Sequence, residues 1–149
     1  MFLGEFPHTL DEKSRVVIPA KFRTFITDAQ DREGFFILVN PNPETRCLRL
    51  YTMSQWKRVM DSIKREAGKS QDPASVLRFF AARGEFAPVD SQNRIVIPQK
   101  LLDYAGLQRD LIMVGLGEWI EIWNAEEYSA VTKRMNPVPV DLDRAMMNP

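Results

Sequence analysis

The sequence is poor in the residues that build covalent and metal frameworks: it has one cysteine and one histidine in 149 residues. Cys47 has no internal partner, so a disulfide framework is excluded and a reducing, cytoplasmic setting is expected. His8 with one distant cysteine makes no zinc set. No Ser/His/Asp or Cys/His set can be assembled without leaning on His8, and neither G-x-x-x-x-G-K-[ST] nor G-x-G-x-x-G occurs. Enzymatic activity, a metal, a cofactor and a small-molecule substrate are therefore not expected. No apolar run approaches the roughly 20 residues that span a bilayer. Residues Met1 to Phe6 lack the basic flank and apolar core of a secretory signal, so no membrane partner is expected. Net charge is missing too. Twenty basic and twenty acidic residues cancel, which weighs against strong non-specific nucleic-acid binding by one chain, because phosphate affinity scales with the cations presented.

What is present is ordinary for a globular chain, with 44% apolar and 27% charged residues, enough for one domain or two small ones. The charge is unevenly placed. Residues 51–83 hold seven Lys/Arg against three Asp/Glu, whereas residues 84–149 hold six against ten. A bipolar chain of this kind is suited to self-association or to presenting one face to an anion.

The dominant feature is an internal repeat. Gly4-Glu-Phe-Pro-His-Thr-Leu-Asp11-Glu-Lys-Ser-Arg15-Val-Val-Ile-Pro19-Ala-Lys21 recurs as Gly84-Glu-Phe-Ala-Pro-Val-Asp90-Ser-Gln-Asn-Arg94-Ile-Val-Ile-Pro98-Gln-Lys100. With one gap, nine positions are identical, where ordinary residue frequencies give roughly one. Weaker likeness continues through 36–39 and 111–114, then 47–51 and 119–123. Two copies of one supersecondary unit are implied.

Each copy has the same expected order. A strand (5–10; 85–89) leads through a turn to a second strand (15–18; 94–97), which ends at proline because proline cannot continue a ladder. A helical turn (20–26; 99–104) and a hairpin (35–39 with 47–51; 111–114 with 119–123) follow. Leu48 and Leu50, like Ile120 and Ile122, alternate with Arg49 and Glu121, the period of a half-buried strand. A helix closes each unit. Over 54–67, Trp56, Val59, Met60 and Ile63 form an apolar stripe opposite Lys57, Arg58, Lys64 and Arg65; over 125–135, Asn124 and Glu127 suit the N-terminus. Trp56, Trp119, Trp123 and Tyr128 fall where core packing is expected. Between the copies, Asp72-Pro73 starts a further helix, whose Val76, Leu77, Phe79 and Phe80 suggest deep burial and which Gly84 is expected to end. The expected organisation is a first unit over 1–68, a linker and spacer helix over 69–83, a second unit over 84–135, and a loose tail over 136–149 without periodicity.

The candidate functional residues lie in the two turns. Asp11 and Asp90 each open a turn and can accept from backbone N–H groups two residues on. Ser14 and Asn93 stand where a left-handed conformation is expected. Arg15 and Arg94 re-enter the strand four residues after the Asp, and a guanidinium fork matches a carboxylate, a phosphate or the O6/N7 edge of guanine. One outcome is an Asp–Arg pair that staples the turn; the other is a loop that offers Lys13, Arg15 and Arg94 to DNA. An arginine beside each Asp also spoils it as a general acid, by depressing its pKa.

In these residues the chain resembles the MraZ family of bacterial transcriptional regulators, within the AbrB/MazE-like group that carries SpoVT-AbrB domains. The likeness runs over about residues 1–135: Met1 to Gly4, Asp11-x-x-x-Arg15, Ile18-Pro19, the helical spacer, Asp90-x-x-x-Arg94 and Glu121-Ile-Trp123. It implies a β-rich α+β fold, a double-split β-barrel of two swapped-hairpin units with interspersed helices, assembled into rings. It also implies a cytoplasmic, nucleoid-associated regulator that binds double-stranded DNA at short G-rich direct repeats ahead of the division and cell-wall gene cluster. DNA binding is thereby assigned to Asp11, Lys13, Arg15, Asp90 and Arg94. The family usually has Gly where Ser14 and Asn93 stand. Gln92 replaces a second lysine, so the second loop is expected to contribute less to DNA. A reading from another class is an antitoxin-type interaction module on the same barrel.

Overall fold

A computed structural model describes residues 1–135 and 140–147. The chain runs through β1 (Phe2–Thr9), β2 (Arg15–Val17), α1 (Ala20–Arg23), β3 (Gly34–Val39), β4 (Leu48–Tyr51), α2 (Met53–Gly68), α3 (Pro73–Ala82), β5 (Gly84–Pro88), β6 (Arg94–Val96), α4 (Gln99–Ala105), β7 (Asp110–Gly117), β8 (Ile120–Asn124), α5 (Ala125–Arg134) and α6 (Leu142–Met147). Each sequence copy thus yields strand, turn, strand, short helix, hairpin and closing helix, a β-rich α+β fold as expected.

The copies interlock. The six-stranded sheet has the order β1-β7-β8-β4-β3-β5 and is antiparallel throughout; β2 and β6 form a separate two-stranded ribbon. The first strand of each copy therefore pairs with the hairpin of the other: β1 lies on β7, and β5 on β3. The large sheet is open, with β1 and β5 at its edges. One core lies between sheet and ribbon. Val16, Ile18, Ile95 and Ile97 join Ile37, Leu50, Met113 and Ile122 of the sheet and Phe22 and Leu101 of the short helices. Each such side chain contributes about 1.5–3 kcal/mol on burial, and neither copy can bury its own set without the other.

Several expectations of burial are corrected. No residue of α3 is buried; Val76, Leu77, Phe79 and Phe80 are half-buried. The helix runs along the surface with α2 as its main neighbour, so it is covered from one side. The stripe of α2 is likewise only half-buried, because α2 lies over the outer face of β3, where Trp56 stacks on Phe36 at 4.7 Å. Of the four aromatic residues expected in the core, Trp123 is buried and Trp56, Trp119 and Tyr128 are half-buried.

Glu121, expected to face outward, is only 7% exposed. Arg49 lies opposite it in the β4–β8 register, with Nε 3.4 Å from Oε2, and Trp123 Nε1 donates to Oε1 at 2.9 Å. An ion partner and an indole donor make that burial tolerable.

Chain breaks are corrected as well. α3 ends at Ala82 with Arg83 as its C-cap, and Gly84 instead opens β5. The first helical turn is shorter than expected, Ala20–Arg23. The tail, expected to be loose, carries the short helix α6, all of it exposed; residues 136–139 and 148–149 lie outside the described residues. Among the described residues no helix is long and apolar enough to cross a membrane.

Candidate nucleic-acid interface

The two D-x-x-x-R turns are built alike. Asp11 Oδ1 accepts from the backbone N–H groups of Lys13 and Arg15, both at 2.9 Å, and Oδ2 accepts from Arg15 Nε at 2.7 Å. Asp90 repeats this with Gln92 N at 2.8 Å, Arg94 N at 2.9 Å and Arg94 Nε at 2.8 Å. Backbone bonds close each turn: Ser14 N to Asp11 O and Asp11 N to Arg15 O, and likewise Asn93 N to Asp90 O and Asp90 N to Arg94 O. Ser14 and Asn93 both have φ of 59° and are the non-glycine residues with positive φ among the described ones.

The left-handed position costs an L-residue roughly 1–2 kcal/mol, less for Asn, and glycine returns part of that through its unfolded-state entropy. Ser14→Gly is therefore expected to stabilise the protein by about 0.5–1 kcal/mol and Asn93→Gly by less. Urea denaturation of the two variants checks the order.

Both carboxylates are held below the ordinary carboxylate range, first by the backbone N–H of the arginine four residues on and then by its guanidinium. A depressed folded pKa contributes stability above the unfolded pKa of about 4. That contribution is lost as pH falls through the lower folded value. The denaturation midpoint of wild type should exceed that of an Asp11→Asn/Asp90→Asn variant at neutral pH. The gap should close as pH falls through the lowered folded values; a gap that persists in strong acid would mean that the turns owe nothing to ionised carboxylates.

The ribbon brings the turns together. β2 and β6 pair with Arg15 opposite Val96, Val16 opposite Ile95 and Val17 opposite Arg94. The pairing is two-fold symmetric about its central pair, and each turn also receives the far strand: Ile18 N donates to Asn93 O and Ile97 N to Ser14 O. Val16 and Ile95 face the core at 1% exposure. Strand alternation then places Arg15, Val17, Arg94 and Val96 on the opposite, outer face. The arginines sit on a diagonal of the ladder, about 7–8 Å apart. Each arginine commits Nε to its Asp, and its Nη groups make no hydrogen bond among the described residues. The side chains remain 27% and 24% exposed. Of the two outcomes foreseen for the motif, the stapled turn is present, with each Asp holding its arginine through Nε, and the outer edge of each fork makes no hydrogen bond among the described residues.

Lys13 and Gln92 are exposed at equivalent positions of the two turns, one turn at each end of the antiparallel ribbon, and strand alternation brings Arg15 and Arg94 to its outer face. Composition does not single out Val17 and Val96, which share this face; the signal that finds them is the alternation that sends them opposite to Val16 and Ile18. Formal charge is small here. Asp11, Glu12, Lys13 and Arg15 cancel, as do Asp90 and Arg94, so neither turn carries a net formal charge.

Comparison with known proteins agrees with the repeat. The family model described as "MraZ protein, putative antitoxin-like" matches residues 1–79 and 81–146. The chain is 35% identical over 128 residues to "Transcriptional regulator MraZ" of Natranaerobius thermophilus, covering 86% of this chain and 84% of that one. It is 37% identical over 132 residues to the protein of that name from Leuconostoc mesenteroides, covering 89% and 87%. Among solved structures, the solution structure of PHS018 from Pyrococcus horikoshii aligns at 20% identity and a TM-score of 0.37, over 82% of this chain and 88% of that one.

Proposed function

The chain belongs to the MraZ family, and from that premise we propose that it is a transcriptional regulator that binds double-stranded DNA through the outer face of the β2–β6 ribbon. The observation that carries this reading is the pair of D-x-x-x-R turns, alike in every hydrogen bond, on one exposed face with their guanidinium forks already held at Nε. A fork held this way loses less freedom when its Nη groups bind a bidentate acceptor such as guanine O6/N7. Arg15 and Arg94 carry the base contacts, Asp11 and Asp90 position them, and Lys13 adds a phosphate contact.

In this reading the open sheet and the ribbon, which share one core and interlocked strands, are the parts of a double-split barrel. The subunits assemble into a ring, for which the half-buried apolar residues of α2 and α3 provide surface. The ring occupies short G-rich direct repeats ahead of the division and cell-wall gene cluster, in the cytoplasm at the nucleoid. The test is a nuclease footprint on the DNA upstream of the chain's own gene. The expected result is protection of evenly spaced direct repeats. Binding no tighter than to unrelated DNA of equal length would overturn the proposal.

A further inference from the structure

The outer face of the ribbon holds more than arginines. Val17 is 43% exposed and Val96 55%, on a strand pair whose other face is fully buried. They are equivalent positions of the repeat, and both copies carry the same residue there, whereas the neighbouring turn positions differ (Glu12 and Ser91, Lys13 and Gln92). In register, each valine stands directly opposite the arginine of the other strand, Val96 beside Arg15 and Val17 beside Arg94. The face is therefore two rows, each one guanidinium fork and one branched apolar side chain, related by the two-fold of the ribbon.

We infer that Val17 and Val96 read thymine 5-methyl groups beside the guanines contacted by Arg15 and Arg94. The inference rests on the DNA-binding reading above and deepens it from phosphate and guanine recognition to a mixed guanine–thymine step. Three considerations support it. A two-stranded ribbon is of a size that the major groove admits, and the thymine methyl is the one apolar group that base edges present there. Residues two apart on a strand are about 6.7 Å apart, close to two base steps of about 3.4 Å, so the two rows can engage bases two steps apart. Cross-strand neighbours lie about 4.5–5.5 Å apart at Cβ, so each row can span adjacent bases. The two-fold relation places the same contacts on opposite DNA strands, and one subunit then reads a short step in both directions.

The chemistry separates this from simple phosphate binding, because valine offers nothing to a phosphate. Losing one buried methyl contact corresponds to about a fourfold weakening. The DNA for the test is the tightest-binding duplex that the wild-type protein selects from a random library. Each thymine is replaced in turn by deoxyuridine, which removes only the methyl group, and Kd is measured for wild type and for Val17→Ala/Val96→Ala. Both valines are exposed, so the double variant keeps the core. For wild type, one or two replacements should raise Kd about fourfold each. These should lie within two steps of guanines whose N7 methylation blocks binding. For the double variant the same replacements should have no further effect. Indifference of wild type to every replacement, or equal sensitivity in both proteins, overturns the inference and leaves the DNA-binding reading standing. Failure to select any duplex above non-specific binding overturns both.

Discussion

Arg15→Ala is expected to abolish sequence-specific DNA binding while the protein stays folded and assembled. The turn does not need the guanidinium to close. Asp11 Oδ1 still accepts from Lys13 N and Arg15 N, and the backbone bonds from Ser14 N and Asp11 N remain. What disappears is the Nε bond to Asp11 and the fork beyond it. A bidentate base contact is worth about 1–3 kcal/mol of discrimination, and in the proposed ring the loss recurs in every subunit engaged, so that the effects multiply in its affinity. Arg94→Ala should have the smaller effect. The two turns match within 0.1 Å in each Asp hydrogen bond, so their geometry cannot distinguish them. The difference lies in Lys13 against Gln92, and in the acidic balance of residues 84–149, which repels phosphate. Gln92→Lys should accordingly strengthen binding and steepen its salt dependence by close to one phosphate's share. Gel shifts of the variants at one salt concentration, with size exclusion as the check on assembly, decide the matter. An unchanged shift with Arg15→Ala would remove the ribbon face from the DNA contact, and equal losses from both arginine variants would remove the distinction between the loops.

The site was more legible in the sequence than the packing around it, for a physical reason. A D-x-x-x-R turn is a local object. A carboxylate two residues from a free N–H, a residue tolerant of positive φ and an arginine at the strand entrance specify their own hydrogen bonds, and Ser14 and Asn93 take up the expected conformation in both copies. The order of elements was legible for the same reason, since strand alternation and proline stops act over a few residues. Burial is not local. The apolar stripe of Trp56, Val59, Met60 and Ile63 shows which face of α2 is apolar but not how much protein will cover it, and α3 is more apolar still and no better covered. Glu121 looked like an outward strand position until the register set Arg49 opposite it and Trp123 donated to it. Nor do the residues alone show that β1 belongs with β7 and β5 with β3. The repeat is equally consistent with each copy pairing within itself, and only the shared core decides against it.

A second large effect is expected from the DNA rather than the protein. In the proposed ring, binding needs at least two direct repeats in phase. One subunit presents few uncompensated cations at its ribbon face, with Asp11 and Asp90 already holding the arginines at Nε, so a single repeat should hold a single subunit weakly. Once one subunit is seated, its neighbour meets the next repeat at a high effective concentration, and avidity rises by about 10²–10⁴ if the geometry allows both to engage. Inserting about half a helical turn, some five base pairs, carries the second repeat to the opposite face of the duplex, where the neighbouring subunit cannot reach it. Affinity should then collapse to that of one repeat. Salt provides an independent reading. The log–log slope is near −0.9 per phosphate neutralised, so the normally spaced pair should show a steeper slope than either the single repeat or the out-of-phase pair. Titrating the three duplexes at two salt concentrations measures both quantities together. Equal affinity and equal slope for all three would mean that one subunit binds alone, and that the ribbon face draws enough attraction from its own few cations without help from assembly.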